Sequence, residues 1–177
     1  MRLLEIRFVT TIFFIMLLVA LAAPQEYFLD QEETILIKKI EIQANQGWVD
    51  TNIEVKEGEE FEFRASGKIS LQIGNPIANC GPEGLDLQTP QQPLTDRNLG
   101  AVIGKVVKLL NVTLDEETGE EIREELTTYF YIGSASQVEM PLDGRLFIGV
   151  NDNVYADNDG LFVVSIYKKE KMRPLPK

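Results

Sequence analysis

Apolar and polar residues alternate in short runs along most of the chain. In residues 60–65, for example, Phe61 and Phe63 fall on one side of an extended strand and the charged residues fall on the other. A spacing of two is typical of half-buried β-strands. Alternation, or a short run rich in β-branched and aromatic residues, predicts further strands at residues 34–43, 52–55, 101–112, 127–132, 145–150 and 161–167.

Turn-forming residues separate these strands. Gly58 predicts a turn before the strand at residues 60–65, and Gly67 is expected to end that strand. Residues 114–126 are the one segment with the composition of a helix, but Thr118-Gly119 at its centre favours a charged hairpin tip. Many short strands separated by such turns predict an all-β fold, an antiparallel β-sandwich or jelly roll.

Residues 1–22 have the features of a secretory signal peptide. Arg2 and Arg7 precede an apolar run over residues 8–21, and Ala20 and Ala22 supply the small residues of a cleavage site. The run is shorter than the roughly 20 residues of a membrane-spanning helix, so we expect cleavage, with an uncleaved anchor as the alternative. This predicts a secreted, periplasmic or cell-surface protein with no membrane span after cleavage.

The rest of the chain is expected to form one domain. The 177 residues are 44% hydrophobic, which suits a single globular unit. We assign residues 23–39 to an N-terminal extension, 40–168 to the β-sandwich domain and 169–177 to a basic tail. The lone cysteine, Cys80, has no partner for an intrachain disulfide; we expect it to be buried, rather than a reactive thiol or an intermolecular bridge.

Charge and composition exclude several functions. With 17 basic and 28 acidic residues the net charge is -11, which argues against nucleic acid as a partner. The chain has no histidine, which removes Ser-His-Asp and Cys-His nucleophiles and histidine-based metal sites.

Residues 151–160 (NDNVYADNDG) concentrate candidate metal ligands between two apolar strands. Calcium takes six to eight oxygen ligands, and a loop dense in Asp and Asn can supply several of them, with backbone carbonyls adding more. The spacing is not that of an EF-hand. The alternative is a polar turn, because Asn, Asp and Gly are also the commonest turn formers.

Several ordered segments resemble the PA-IL-type lectins, which are small calcium-dependent galactose-binding jelly rolls. The resemblance covers about residues 40–168 and implies a β-sandwich like that of galactose-binding domains. The segments that carry it are Gly47-Trp48, Glu57-Gly58-Glu59 with residues 61–67, Gly81-Pro82-Glu83-Gly84, Thr89-Pro90-Gln91-Gln92, and Asn151-Asp152 through Asp157-Asn158-Asp159-Gly160 and Phe162.

The resemblance implies a Ca²⁺ site and a sugar site that share residues. Its metal ligands would be the side chains of Asp152, Asp157 and Asn158 and the backbone carbonyls of Leu71 and of Val154 or Tyr155. Vicinal sugar hydroxyls would fill open positions on the cation while Asp152 and Asp157 accept hydrogen bonds from them. Thr89, where the family usually has a histidine, and Gln92 would border the sugar.

The leading hypothesis is therefore a secreted, non-enzymatic, calcium-dependent module that binds a galactose-like saccharide or glycoconjugate, with homo-oligomerisation as an option. One alternative is an exported structural or interaction domain in which calcium only braces a loop. A glycosidase using Asp86 and Asp152 is a third, but no spacing supports a facing acid and base. Trp48 is expected to pack at a strand end, with stacking on a sugar ring as the alternative.

Overall fold

The computed structural model describes residues 32–171, and within them Thr34–Lys169 form one compact unit. The predicted signal peptide, most of the N-terminal extension and residues 172–177 of the tail lie outside the described residues. Among residues 32–171, no helix is long and apolar enough to span a membrane. A short 3₁₀-helix covers Pro76–Ala78, and the strands are β1 Glu32–Gln43, β2 Val49–Val55, β3 Glu60–Ser70, β4 Asn79–Cys80, β5 Val102–Leu114, β6 Glu121–Tyr131, β7 Ala135–Glu139, β8 Gly144–Val150 and β9 Asp159–Lys171.

The strands form two antiparallel sheets. Sheet A has the order β1-β9-β3-β4, with β7 also paired to β3, and sheet B has the order β2-β8-β5-β6. This confirms the predicted all-β antiparallel sandwich. All the strands predicted from alternation are present; β4 and β7 are additional, and β1 runs across the boundary predicted between residues 39 and 40.

The core lies between the two sheets, as the alternation predicts. Phe61 and Phe63 of β3 are fully buried, and the ring of Phe63 is 5.7 Å from that of Phe130 in the other sheet. Inward residues of neighbouring strands complete the layer, among them Ile42, Val106, Leu146, Ile148, Phe162, Val164 and Ile166. The two apolar faces therefore pack against each other, as in other aligned sandwiches.

Gly67 does not end β3, contrary to the sequence prediction. The strand continues to Ser70, and Gly67 has φ +114°. A Cβ at this position would approach the carbonyl oxygen of Leu161 in β9 to 2.4 Å. The glycine is thus required by a close strand approach rather than by a turn. The extra residues of β3 pair Ser70 with Asp159, which places the chain after β3 beside the loop between β8 and β9.

Residues 114–126 form the predicted hairpin tip and not a helix. β5 and β6 continue as paired strands to Leu114 and Glu121. Between them Asp115 accepts hydrogen bonds from the backbone N–H groups of Glu117 and Thr118, at 2.9 and 2.8 Å, and Gly119 has φ +73°. An Asx-type turn followed by a left-handed glycine closes the hairpin.

Cys80 is a buried core residue, as predicted. Burial, together with the negative charge of Asp152, raises the pKa of its thiol to about 11. The group is therefore a protonated thiol at neutral pH, and the protonated form is a poor nucleophile.

We expect Cys80 to resist thiol reagents in the folded protein. At pH 8 an aromatic disulfide reagent should label it very slowly, and one equivalent should react at once when the chain is unfolded in guanidinium chloride. Absorbance of the released thiolate measures both rates. Rapid labelling of the native protein at pH 8 would show that the thiol is exposed or ionised, contrary to the structure.

Candidate functional site

The oxygen-rich loop between β8 and β9 is anchored at several points. The backbone N–H of Asn151 donates to Ala101 (2.8 Å), and the N–H of Ile73, in the chain after β3, donates to the carbonyl of Asp157 (2.8 Å). The loop thus lies against the segment that follows β3, at one end of the sandwich.

A cleft of about 280 Å³ opens beside this loop. All the predicted site residues except Asn158 and the alternative ligand Tyr155 line it, so the fold brings together positions that lie far apart in the sequence. The complete lining consists of Leu71, Thr89, Gln91, Gln92, Leu99, Asp152, Asn153, Val154 and Asp157. Asn158 lies directly behind, in contact with Asp152.

The carboxylate of Asp152 is buried, with 7% of the residue exposed. One of its oxygens accepts the backbone N–H of Val154 (3.0 Å) and the other accepts the Nδ2 of Asn158 (2.9 Å). Among the described residues, no lysine or arginine forms an ion pair with it. A buried carboxylate without a counter-ion is costly, so this position favours a bound cation.

Asn158 holds a second buried oxygen at this site. It is 2% exposed, and its Nδ2 donates to Asp152 and to the carbonyl of Ala44 (3.2 Å). Both partners are acceptors, which fixes the orientation of the amide. Its buried Oδ1 has no hydrogen-bond partner among the described residues. Buried polar atoms are normally satisfied, so an unpaired oxygen beside a buried carboxylate is suited to a metal ligand.

The available donors fit a hard cation. The cleft offers the carboxylates of Asp152 and of the exposed Asp157, and the predicted set adds the Asn158 amide and backbone carbonyls of Leu71 and Val154. The described residues hold no cluster of three or more His, Cys, Asp or Glu that could bind a metal. The set therefore depends on amide and carbonyl oxygens, which calcium accepts and zinc seldom uses.

Gln92 lines the cleft but its amide is already engaged. The residue is 4% exposed, and its Nε2 donates to the carbonyls of Leu94 (2.8 Å) and Arg97. Its Oε1 accepts from the N–H (3.3 Å) and hydroxyl (3.4 Å) of Thr89. The neighbouring Gln91 is exposed and makes no side-chain hydrogen bond within the described structure. Gln91, which the sequence analysis did not assign to the site, is thus the glutamine available to a ligand.

Asn151 connects the oxygen-rich loop to the loop that carries Thr89. It is fully buried; its Oδ1 accepts the N–H of Leu94 (2.9 Å), and its Nδ2 donates to the carbonyls of Leu94 (3.0 Å) and Asn98 (3.1 Å). The Thr89-containing loop is therefore clamped to the oxygen-rich loop. No local sequence signal identifies this role, because both partners are far away along the chain.

Glu83, in one of the segments that carry the lectin resemblance, braces a loop. Its carboxylate accepts the N–H of Ser134 (2.9 Å) and the hydroxyls of Ser134 and Tyr131. These hydrogen bonds, of which the Ser134 hydroxyl contributes most, lower the pKa of Glu83. Glu83 and Asp86 are both absent from the lining of the cleft, so Asp86 does not face Asp152 across it.

A larger cleft of about 820 Å³ lies where β2 ends and β8 begins. Most of its charged groups pair with one another: Lys108 pairs with Asp143 (3.5 Å), Arg145 with Glu54 (3.1 Å) and Lys168 with Glu59 (2.9 Å). The smaller cleft, with the buried Asp152 carboxylate in its lining and the unpaired Oδ1 of Asn158 in the residue directly behind it, is the better candidate for ligand chemistry despite its size.

Comparison with known proteins shows the fold. No family model matches the chain, and no curated protein matches it in sequence. The N-terminal CBM22-1 and GH10 modules of Clostridium thermocellum xylanase 10B, solved with xylohexaose, align at 12% identity over 85% of this chain and 29% of that chain; the TM-score of 0.25 is too low to indicate a common fold. The EclA N-terminal domain, described as a PllA-like lectin, aligns with a TM-score of 0.51 and 19% identity over 75% of this chain and 97% of that chain. The described chain therefore has the β-sandwich fold of a lectin domain.

Proposed function

We propose that this protein is an exported, calcium-dependent carbohydrate-binding protein that takes a galactose-like sugar in the cleft beside the oxygen-rich loop. The observation that carries the proposal is the buried Asp152 carboxylate without a basic partner, next to the unpaired Oδ1 of Asn158. The sandwich fold of a lectin domain supports the same function.

The residues divide into a metal-holding group and a sugar-facing wall. Asp152, Asp157, Asn158 and the carbonyls of Leu71 and Val154 would hold Ca²⁺. When bound, this cation supplies open coordination positions for vicinal sugar hydroxyls. Asp157 stands exposed at the cleft and can accept a hydrogen bond from such a hydroxyl.

Thr89 and Gln91 line the cleft from a different loop and form its sugar-facing wall in this proposal. Asn151 and Gln92 keep this wall in place through their hydrogen bonds to the backbone of the same loop. A cleft of about 280 Å³ is close to the lower limit of about 300 Å³ for small-molecule pockets, which suits a single sugar ring rather than a long chain.

A second candidate function is a structural β-sandwich in which calcium only braces the loop. Gln92 favours it, because the amide that the lectin resemblance places beside the sugar is committed to backbone carbonyls. The two functions differ in whether a bound metal creates affinity for a sugar.

Calorimetry tests both functions. Calcium is titrated into chelator-treated protein, and galactose is then titrated with and without calcium, with its 4-epimer glucose as the control. We expect saturable calcium binding and a heat of galactose binding that appears only with the metal. Calcium binding without a sugar signal would support the structural function instead. No calcium binding would overturn both.

A further inference from the structure

A group of aromatic side chains lies on the outer face of sheet B. Lys105 of β5 is paired directly with Tyr129 on one side and with Phe147 on the other, so these three side chains point to the same face. The inward residues next to Phe147 belong to the core, which places this row outside. Trp48 joins it by lying over Gly149, where a Cβ would be 3.0 Å from the indole. We call Trp48, Lys105, Tyr129 and Phe147 the aromatic patch.

The patch surrounds a lysine without an ionic partner. The Nζ of Lys105 lies 4.7 Å from the centroid of the Trp48 ring and 5.3 Å from that of Phe147. None of the ion pairs in the described structure includes Lys105. Burial lowers the pKa of this ammonium, against a weaker opposing effect of Glu125. In a protein of net charge -11, a partly buried ammonium that contacts two rings and forms no ion pair within the described residues is an exception.

One acid at the edge of the patch is already engaged. Asp50 of β2 is paired directly with Phe147, but its two carboxylate oxygens bind Arg145 at 2.8 and 3.2 Å. Asp50 is therefore not free to pair with Lys105, and Glu125 acts on Lys105 only through its charge, without an ion pair, so the ammonium remains able to bind an anionic group from outside the chain.

The patch is accessible and lies next to the candidate calcium loop. Tyr129 is 40% exposed, and Trp48 and Phe147 are partly exposed. The Trp48 and Tyr129 rings are 5.7 Å apart. Tyr155 of the loop lies between the two regions, because a Cβ on Gly47, the residue before Trp48, would touch its ring at 3.8 Å.

We propose that the aromatic patch is a second saccharide subsite, which takes a carboxylated sugar residue with its ring against Trp48 and Tyr129 and its carboxylate on Lys105. Aromatic faces offer the apolar surface that the C–H face of a pyranose requires, and an ammonium–carboxylate hydrogen bond selects for charge. The choice of a sugar rests on the proposed function, whereas the choice of an anion rests on Lys105 alone.

Trp48 is the only tryptophan, so its fluorescence reports directly on the patch. The protein is titrated in chelator with methyl β-D-glucuronide and, as the neutral counterpart, with methyl β-D-glucoside. We expect a saturable change in emission with the glucuronide and roughly tenfold weaker binding of the glucoside, the size of effect expected for one charged hydrogen bond.

Lys105→Met should reduce glucuronide affinity roughly tenfold, to the level of the glucoside. Lys105→Gln is a second variant in case the first is unstable. Lys108→Met is the matched control, because Lys108 lies on the same strand but pairs with Asp143, and it should bind glucuronide normally.

Equal affinity for both glycosides, or no change in emission with either, would overturn the second subsite. Calcium-dependent galactose binding measured on the same protein would be unaffected by that result. Conversely, a glucuronide response without calcium-dependent galactose binding would support the patch and contradict the proposed function of the cleft.

Discussion

Replacing Asp152 with alanine is expected to abolish measurable calcium binding. The change removes the one buried carboxylate of the cleft and the acceptor that orients the Asn158 amide. Loss of a residue that only orients a metal ligand costs 10- to 100-fold in affinity, so loss of a ligand with both roles should cost roughly 100-fold or more. Calorimetric titration of calcium into chelator-treated variant and wild-type protein measures this directly.

Thermal unfolding gives an independent measurement of the same prediction. A ligand that binds only the folded state at 100 times its Kd stabilises that state by about 2.7 kcal/mol. Calcium should therefore raise the Tm of the wild-type protein and leave that of Asp152→Ala unchanged. Asp159→Ala is the matched control, because Asp159 is an exposed acid at the end of the same loop that does not line the cleft. If Asp159→Ala lost calcium and Asp152→Ala kept it, the ligand assignment would be wrong.

The fold was largely predictable because its determinants are local. Alternation marks each strand that buries one face, as Phe61 and Phe63 illustrate, and a Thr-Gly pair marks the β5–β6 tip. β4 was not predicted because it consists only of Asn79–Cys80. β7 was not predicted because Ala135–Glu139 shows little alternation of apolar and polar residues. The prediction that Gly67 ends β3 was wrong because a glycine required by a close neighbouring strand looks the same in the sequence as a glycine required by a turn.

The candidate site was predictable in its chemistry but not in its internal contacts. Composition alone indicates an oxygen-rich loop, and the lectin resemblance selects residues that the fold does bring to one cleft. The hydrogen bonds made by the side chains of Gln92 and Asn151 depend on how the folded chain packs. The alternation of apolar and polar residues carries no information about them. That these residues bind calcium and a sugar stays a prediction.

Asn151→Ala is expected to destabilise the protein and to weaken sugar binding more than calcium binding. The change leaves the N–H and carbonyl of Leu94 and the carbonyl of Asn98 without this partner. An unsatisfied buried group costs about 1–3 kcal/mol, and water reaching the loop will satisfy some of them, so we expect about 2–4 kcal/mol less free energy of unfolding. Denaturant titration measures this loss. Asn153→Ala is the stability control, since Asn153 is exposed and should change the free energy of unfolding by less than about 0.5 kcal/mol.

The more informative part of this prediction is that sugar affinity and calcium affinity should change by different amounts. Asn151 touches the loop that carries Thr89 and Gln91 but supplies no predicted metal ligand, so the metal-holding oxygens stay in place when it is removed. Calorimetry on the variant should therefore find calcium affinity within about threefold of wild type and galactose affinity at least roughly tenfold weaker. Loss of both ligands together would mean that the sugar-facing wall also shapes the metal site. Retention of both would mean that Thr89 and Gln91 do not contact the sugar, and that the metal and the carboxylates alone recognise it.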